Sequence, residues 1–242
     1  MEKQHECEGK REREIVLIAD KSLYDVWICA DIDVTFLDEI TIRLGKILAI
    51  DSVYDKVVDN INKMGKLSSS QRIVWQTRIK QDNKAYLDVL RSQSMNVAHI
   101  IDHIKEETAT VLCVLQKLDA GASEDDVALI VNSKWLRQNT RFEPLIITDD
   151  RDLLTCGHII TSFFGLTIGF LSCFELLRLM EMNEAFDRYC KYYNLDPQYG
   201  FIDDVWTKQE LEQKVSSSLR KAKISCHPSL KGSGSLLNKI KR

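Results

Sequence analysis

The stretch "EPLIITDDRDLL", residues 143 to 154, carries the reading of the whole chain. Pro144, Leu145, Ile146 and Ile147 make a short apolar run, the pattern of a strand buried on both faces. Thr148 follows, and then Asp149, Asp150 and Asp152 crowd three carboxylates into four positions. Carboxylates where a strand gives way to a helix have two ordinary uses. One is capping, since an aspartate in a first helical turn gains about 0.3–1 kcal/mol from the helix dipole. The other is holding a cation. The choice depends on what else the chain brings to the same edge of a sheet.

Outward from this stretch the same device repeats. "EIVLIAD" (14–20) is an apolar run that ends on Asp20, and "KILAIDS" (46–52) ends on Asp51, with Asp55 one turn later. "SEDDVALIVNSKWLRQN" (123–139) opens with a Ser-x-x-Asp capping-box pattern that sets Asp126 at the third helical position beside Asp125. Residues 150–165 read as a helix, 166–172 as a strand, and 173–193 as one further helix. Residues 68–119 are mostly helical, with Val97, Ile100, Ile101 and Ile104 on one face; "TATVLCVL" (108–115) fits a strand or a buried helix equally. Strands alternating with helices predict an α/β fold with a parallel sheet covered on both faces, and ligands at the carboxyl ends of the strands.

Composition narrows the class. Only 10 Gly and 3 Pro in 242 residues argue against a turn-rich all-β sandwich and for long helices. Cys7, Cys29, Cys113, Cys156, Cys173, Cys190 and Cys226 include no Cys-x-x-Cys pair, so neither a zinc ribbon nor a disulfide framework is suggested. "MEKQHECEGKRERE" lacks a signal-peptide apolar core, and the most apolar window, 159–173, is short and broken by glycine, serine and threonine. The expectation is a cytoplasmic protein with no membrane span. The net charge of −3 is unevenly spread. Lys214, Arg220, Lys221, Lys223, Lys231, Lys239, Lys241 and Arg242 follow Glu212 with no further acid, a basic tail suited to a polyanion such as RNA. Of these, Arg220, Lys221, Lys223, Lys239, Lys241 and Arg242 are the nucleic-acid-binding candidates.

Like charges gathered at one sheet edge raise each other's pKa unless a cation neutralises them. Oxygen donors without nearby His or Cys select Mg²⁺ or Mn²⁺. At this point "EDDVALIVNSKWLRQNTRFEPLIITDDRDLL" resembles the second half of a PIN-domain nuclease, in which an aspartate precedes a D-x-x-L-I helix and a strand ends T-x-D-x-D-[FL]. Asp126 matches the first aspartate; Thr148, Asp150, Asp152 and Leu153 match the second pattern. "IVLIADKSLY" resembles the first strand and places Asp20 on the first metal-binding aspartate, although Lys21-Ser22 stands for the usual Thr-Asn. "AIDSVYDKVV" resembles the second strand, with Lys56 where the family has a glutamate.

The resemblance implies a three-layer α/β/α PIN-like fold with about four or five parallel strands over residues 14–195. A helical insert falls at about 65–118, and 196–242 form a C-terminal helix and flexible basic tail. It implies a Mg²⁺- or Mn²⁺-dependent ribonuclease. Asp20, Asp126, Asp150 and Asp152 would be ligands and Thr148 would orient the site. The alternative is an inactive PIN-like module that binds nucleic acid or protein, with a protein partner or homo-oligomer open in either case.

Other signals compete. "CADIDVTF" (29–36) resembles the nucleophile motif of haloacid-dehalogenase-like phosphatases, with Asp31 and Asp33 in the acidic roles. His99 and His103 share a helix face but lack the glutamate and third ligand of a zinc site. Trp75, Trp135 and Trp206 could stack on bases, with core packing the simpler expectation.

Overall fold

The computed structural model describes residues 13–94, 96–117, 121–164 and 168–194. In chain order the elements are β1 (Glu14–Ala19), α1 (Lys21–Cys29), α2 (Thr35–Arg43), β2 (Ile47–Leu48), α3 (Asp51–Lys63), α4 (Ser69–Gln93) and α5 (Val97–Lys117). There follow α6 (Glu124–Asn139), β3 (Phe142–Ile147), α7 (Arg151–Phe164), β4 (Gly169–Leu171), α8 (Cys173–Leu179) and α9 (Asn183–Tyr193). The four strands form one parallel sheet in the order β2-β1-β3-β4. Consecutive strand residues point to opposite faces, and Val16, Leu17, Ile18 and Ala19 are all buried, so β1 is covered on both sides.

The chain leaves β1 toward one edge of the sheet, then returns past it to build β3 and β4 on the other side. The carboxyl ends of β1 and β3 therefore flank a topological switch point, where open α/β sheets form their ligand crevices. The close pairing of β2 with β1 depends on Gly45. Its φ is +148, and a Cβ there would collide with the carbonyl oxygen of Ile15.

The stretch 68–119, expected to be mostly helical, contains α4 and α5. Its attachment is polar as well as apolar. Arg78, nearly buried on α4, bonds Asp82 at 3.1 Å, Thr41 at 2.9 Å and Asp38, while the Tyr24 hydroxyl donates to Asp82 at 2.9 Å. Asp82 and Asn83 also bond the backbone of Ala49 just past β2, at 3.2 and 3.1 Å. These bonds occupy polar groups that an open sheet edge would leave free for other strands.

The structure settles several readings left open, agrees with some and corrects others. "TATVLCVL" is helical, as part of α5. Residues 173–193 form two helices: α8 is capped by Met180 and Glu181 turns left-handed at φ 55 before α9 begins. The "CADIDVTF" segment is no strand; Cys29 ends α1, and Asp31 has φ 56 with a side chain 90% exposed. Asp33 caps the turn into α2 through the Thr35 amide at 2.8 Å, so no paired nucleophile and acid stand at a strand end. Trp75 and Trp135 are core residues, and His99 and His103 are exposed on α5. Among the described residues no helix is long and apolar enough to cross a membrane.

Candidate functional site

The β1–β3 register continues one residue past the sheet. Ala19 pairs with Ile147, and the Asp20 amide donates to the Ile147 carbonyl at 3.0 Å, so Asp20 and Thr148 stand side by side beyond the strand ends. Asp20 then becomes the N-cap of α1, accepting from the Lys21 amide at 2.6 Å. Its other oxygen, Oδ2, accepts from the hydroxyls of Ser22 at 2.7 Å and Thr148 at 2.9 Å, with the Ser22 amide at 3.4 Å. Lys21-Ser22 thus keeps a polar neighbour on Asp20: the Ser22 hydroxyl also accepts from the Asp149 amide at 3.1 Å and ties the two strand ends together.

The three carboxylates of the 149–152 segment do three different things. Asp149 points back into the fold and accepts from the first amide of α8, at Cys173, and from the Tyr189 hydroxyl, each at 2.9 Å. Asp150 uses Oδ1 to cap α7 through the amides of Asp152 at 2.8 Å and Leu153 at 3.3 Å. The Asp150 amide is itself held by Thr148 Oγ1 at 2.9 Å. Asp152 is exposed in the first turn of α7, near the α5–α6 loop: a Cβ on Gly121 would lie 4.0 Å from its Oδ1.

Asp126 arrives from α6. Its Oδ2 accepts from the amide and hydroxyl of Ser123, at 2.9 and 2.7 Å, completing the capping box that the sequence predicts. Burial pushes the pKa of Asp20 upward, its hydroxyl partners oppose this, and the Asp150 charge adds to the rise. Burial likewise raises Asp126, against the Ser123 bonds, and Asp150 and Asp20 push the same way. Burial also raises Asp149, with a smaller push from Asp20. Carboxylates from the β1–α1 turn, α6 and the β3–α7 turn therefore gather at a single edge of the sheet, where the Asp150 charge acts on both Asp20 and Asp126.

Lys56 is not aimed at this group. It forms an ion pair with Asp125, with the two side chains 50% and 22% exposed. Asp51 opens α3 on the same edge and accepts from Asn83 at 2.8 Å, while Asp55 is exposed. Arg220, Lys221, Lys223, Lys239, Lys241, Arg242 and Trp206 lie outside the described residues.

Sequence reading passes over Tyr189, and it misses the partners of Ser22 and Asp149. Their bonds cross from one element to another, and no local periodicity marks them. The bonds above leave Asp126 Oδ1 and Asp150 Oδ2 without a partner among the described residues. Also among those residues, no three His, Cys, Asp or Glu side chains are grouped closely enough to grip an ion as they stand. No family model, no curated protein and no solved structure matches this chain.

Proposed function

We propose that the chain is a Mg²⁺- or Mn²⁺-dependent phosphodiesterase acting on RNA, built on a PIN-like α/β/α fold. The observation that carries this reading is the convergence of Asp20, Asp126 and Asp150 from separate elements at the β1–β3 switch point: Thr148 bonds both the Asp20 carboxylate and the Asp150 amide, and the Asp150 charge pushes up both Asp20 and Asp126. Asp20 and Asp126 are buried and Asp150 is half-buried, and like charges gathered in this way are costly without a cation.

The donor set fits such an ion. It is all oxygen, as Mg²⁺ and Mn²⁺ prefer, and each of Asp126 and Asp150 has an oxygen to offer. Mg²⁺ commonly keeps several waters and takes only one or two carboxylates directly, so a tight cluster of three ligands is not required. Asp20, Asp126 and Asp150 would hold it, with Asp152 at the solvent side. When bound there, a divalent cation activates water and offsets charge on the scissile phosphate. The chain's own part is positional. Thr148 and Ser22 hold the Asp20 carboxylate in place, and Asp149, anchored to α8 and α9, fixes the turn that carries Asp150. The amino ends of α1, α6 and α7 supply partial positive charge for the acids and for a phosphate.

The test is Asp150→Asn. The amide oxygen can still cap α7, so the fold should persist, while Mn²⁺-dependent cleavage of single-stranded RNA is lost. Unchanged cleavage in that variant refutes the assignment. A second reading, an inactive module that binds nucleic acid or protein, draws on Asp20, whose Oδ2 already serves two hydroxyls. It takes over if the wild-type chain binds RNA but cleaves none of it at any Mn²⁺ concentration.

A further inference from the structure

A second concave feature shares the first turn of α6 with the carboxylate site. It is a cavity of about 130 Å³ between α3, α4, α5 and α6, open on one side. Glu124 and Asp125 line it, while Asp126, next in sequence, belongs to the acidic group. Ile101, Ile104 and Ala128 supply apolar wall, with Tyr86 held in place by a 2.7 Å bond to Asn132. Ser52 also lines the cavity, although its Oγ is itself buried and has no hydrogen-bond partner among the described residues. Asp51 and Lys105 complete the rim. Helices α4 and α5 supply Tyr86, Ile101, Ile104, Lys105 and Thr108 to this wall, so the cavity depends on them.

We infer that this cavity receives one unstacked pyrimidine base of an RNA strand whose phosphate lies at the carboxylate site, with cytosine preferred. The inference rests on the phosphodiesterase reading above and adds base selection to it. Size decides the ring class. A cavity near 150 Å³ holds one benzene, so about 130 Å³ suits a six-membered ring and is tight for a fused purine. An apolar wall with a few polar groups suits a flat heterocycle, and unstacked bases are the usual target of sequence-specific RNA binding. Rim chemistry decides between the pyrimidines. Asp51 and Glu124 are acceptors that match the exocyclic amine of cytosine, where uracil presents a carbonyl that would face them unfavourably, and Lys105 is a donor for the ring carbonyl that both pyrimidines share.

The experiment uses the full chain and phosphate-free probes, so that it does not depend on metal. Cytidine, uridine, adenosine and guanosine are titrated to millimolar concentration while backbone amide NMR shifts are followed. Cytidine should perturb Ser52, Ile101 and Glu124, uridine less, and the purine nucleosides not at all. Ala128→Phe, which fills the cavity from its wall, should abolish the cytidine shifts. Glu124→Gln should bring cytidine and uridine together. In cleavage assays Ala128→Phe should lower the rate at cytosine-flanked sites about tenfold relative to purine-flanked ones. No perturbation by any nucleoside, or equal perturbation by all four, overturns the inference. Unaltered base preference of cleavage in Ala128→Phe overturns it too, while leaving the acidic site standing. If Asp150→Asn cleaves normally but cytidine still binds, the phosphodiesterase reading fails and the base pocket survives.

Discussion

Thr148 Oγ1 lies 2.9 Å from Asp20 Oδ2 and 2.9 Å from the Asp150 amide, so one buried hydroxyl serves two acids from different strands. It donates to the first and accepts from the second, which uses the full capacity of a single hydroxyl proton. Thr148→Val keeps the shape and removes both bonds. With Asp20 buried and deprived of a donor, the expected loss of stability is about 1–3 kcal/mol, measured by urea unfolding. The same change should raise the Asp20 pKa further and weaken Mn²⁺ binding in calorimetry. Wild-type affinity in a folded Thr148→Val protein would show that Thr148 does not orient the site.

The buried acids also set the pH response. Burial pushes Asp82 up to about 6, against the opposing pull of Arg78, and raises Asp20, Asp126 and Asp149 as well. The sign follows from proton counts. Between the ordinary carboxylate value, about 4, and about 6, the folded chain holds protons that the unfolded chain has released. The contribution of Asp82 to stability is thus complete below that window and is lost as pH rises through it, and Asp20, Asp126 and Asp149 act in the same direction. Melting temperature should fall as pH is raised from about 4 to 6. Asp82→Asn should flatten that part of the curve, even though removing one partner of Arg78 lowers stability at every pH. An unchanged slope in Asp82→Asn would mean that Asp82 titrates at its usual value.

Gly45 offers a test of the sheet edge. Its φ of +148 is a backbone state that side chains rarely adopt, and the added Cβ would meet the Ile15 carbonyl. Gly45→Ala should cost more than the roughly 1 kcal/mol typical of a point mutation, because strain and a steric clash with backbone coincide. Urea denaturation measures the cost. Faster hydrogen exchange confined to β2 would locate the damage, and a loss under about 0.5 kcal/mol would refute the steric account.

The parts of the fold legible in the sequence are those written in local pattern. The apolar runs of β1 and β3, the Ser123–Asp126 capping box and the Thr148–Asp150 spacing all announce themselves within a few residues. The Arg78–Asp82–Tyr24 group is illegible for the opposite reason. Charges on a long helix suggest a solvated face, and only the fold reveals that this face meets α1 and α2. Glu181 breaks a continuous helical pattern without a glycine or proline to mark the place. Asp149 looks like one more member of an acidic cluster, yet its partners, Cys173 and Tyr189, lie on two later helices. The role of Lys56 is hidden in the same way, since Asp125 reaches it from across the insert.

That pair gives the last prediction. Lys56 stands where the resembled family carries an acid, and in the fold its ammonium neutralises Asp125, the neighbour of Asp126. Lys56→Glu removes a positive charge, frees Asp125 and adds a carboxylate beside the acidic edge. Because Lys56 is half exposed, losing the ion pair should cost under about 1 kcal/mol, and the new repulsion should be screened in part by salt. Mn²⁺ affinity measured by calorimetry should rise, and the gain should shrink as ionic strength increases. Lys56→Gln separates the two contributions: it should recover only the part of the gain that comes from unmasking Asp125. If neither variant changes affinity, Asp125 is too far from the ion to matter, and the acidic edge works through Asp20, Asp126 and Asp150 alone. If Lys56→Glu weakens binding instead, the Lys56–Asp125 pair positions the first turn of α6, and its loss displaces Asp126.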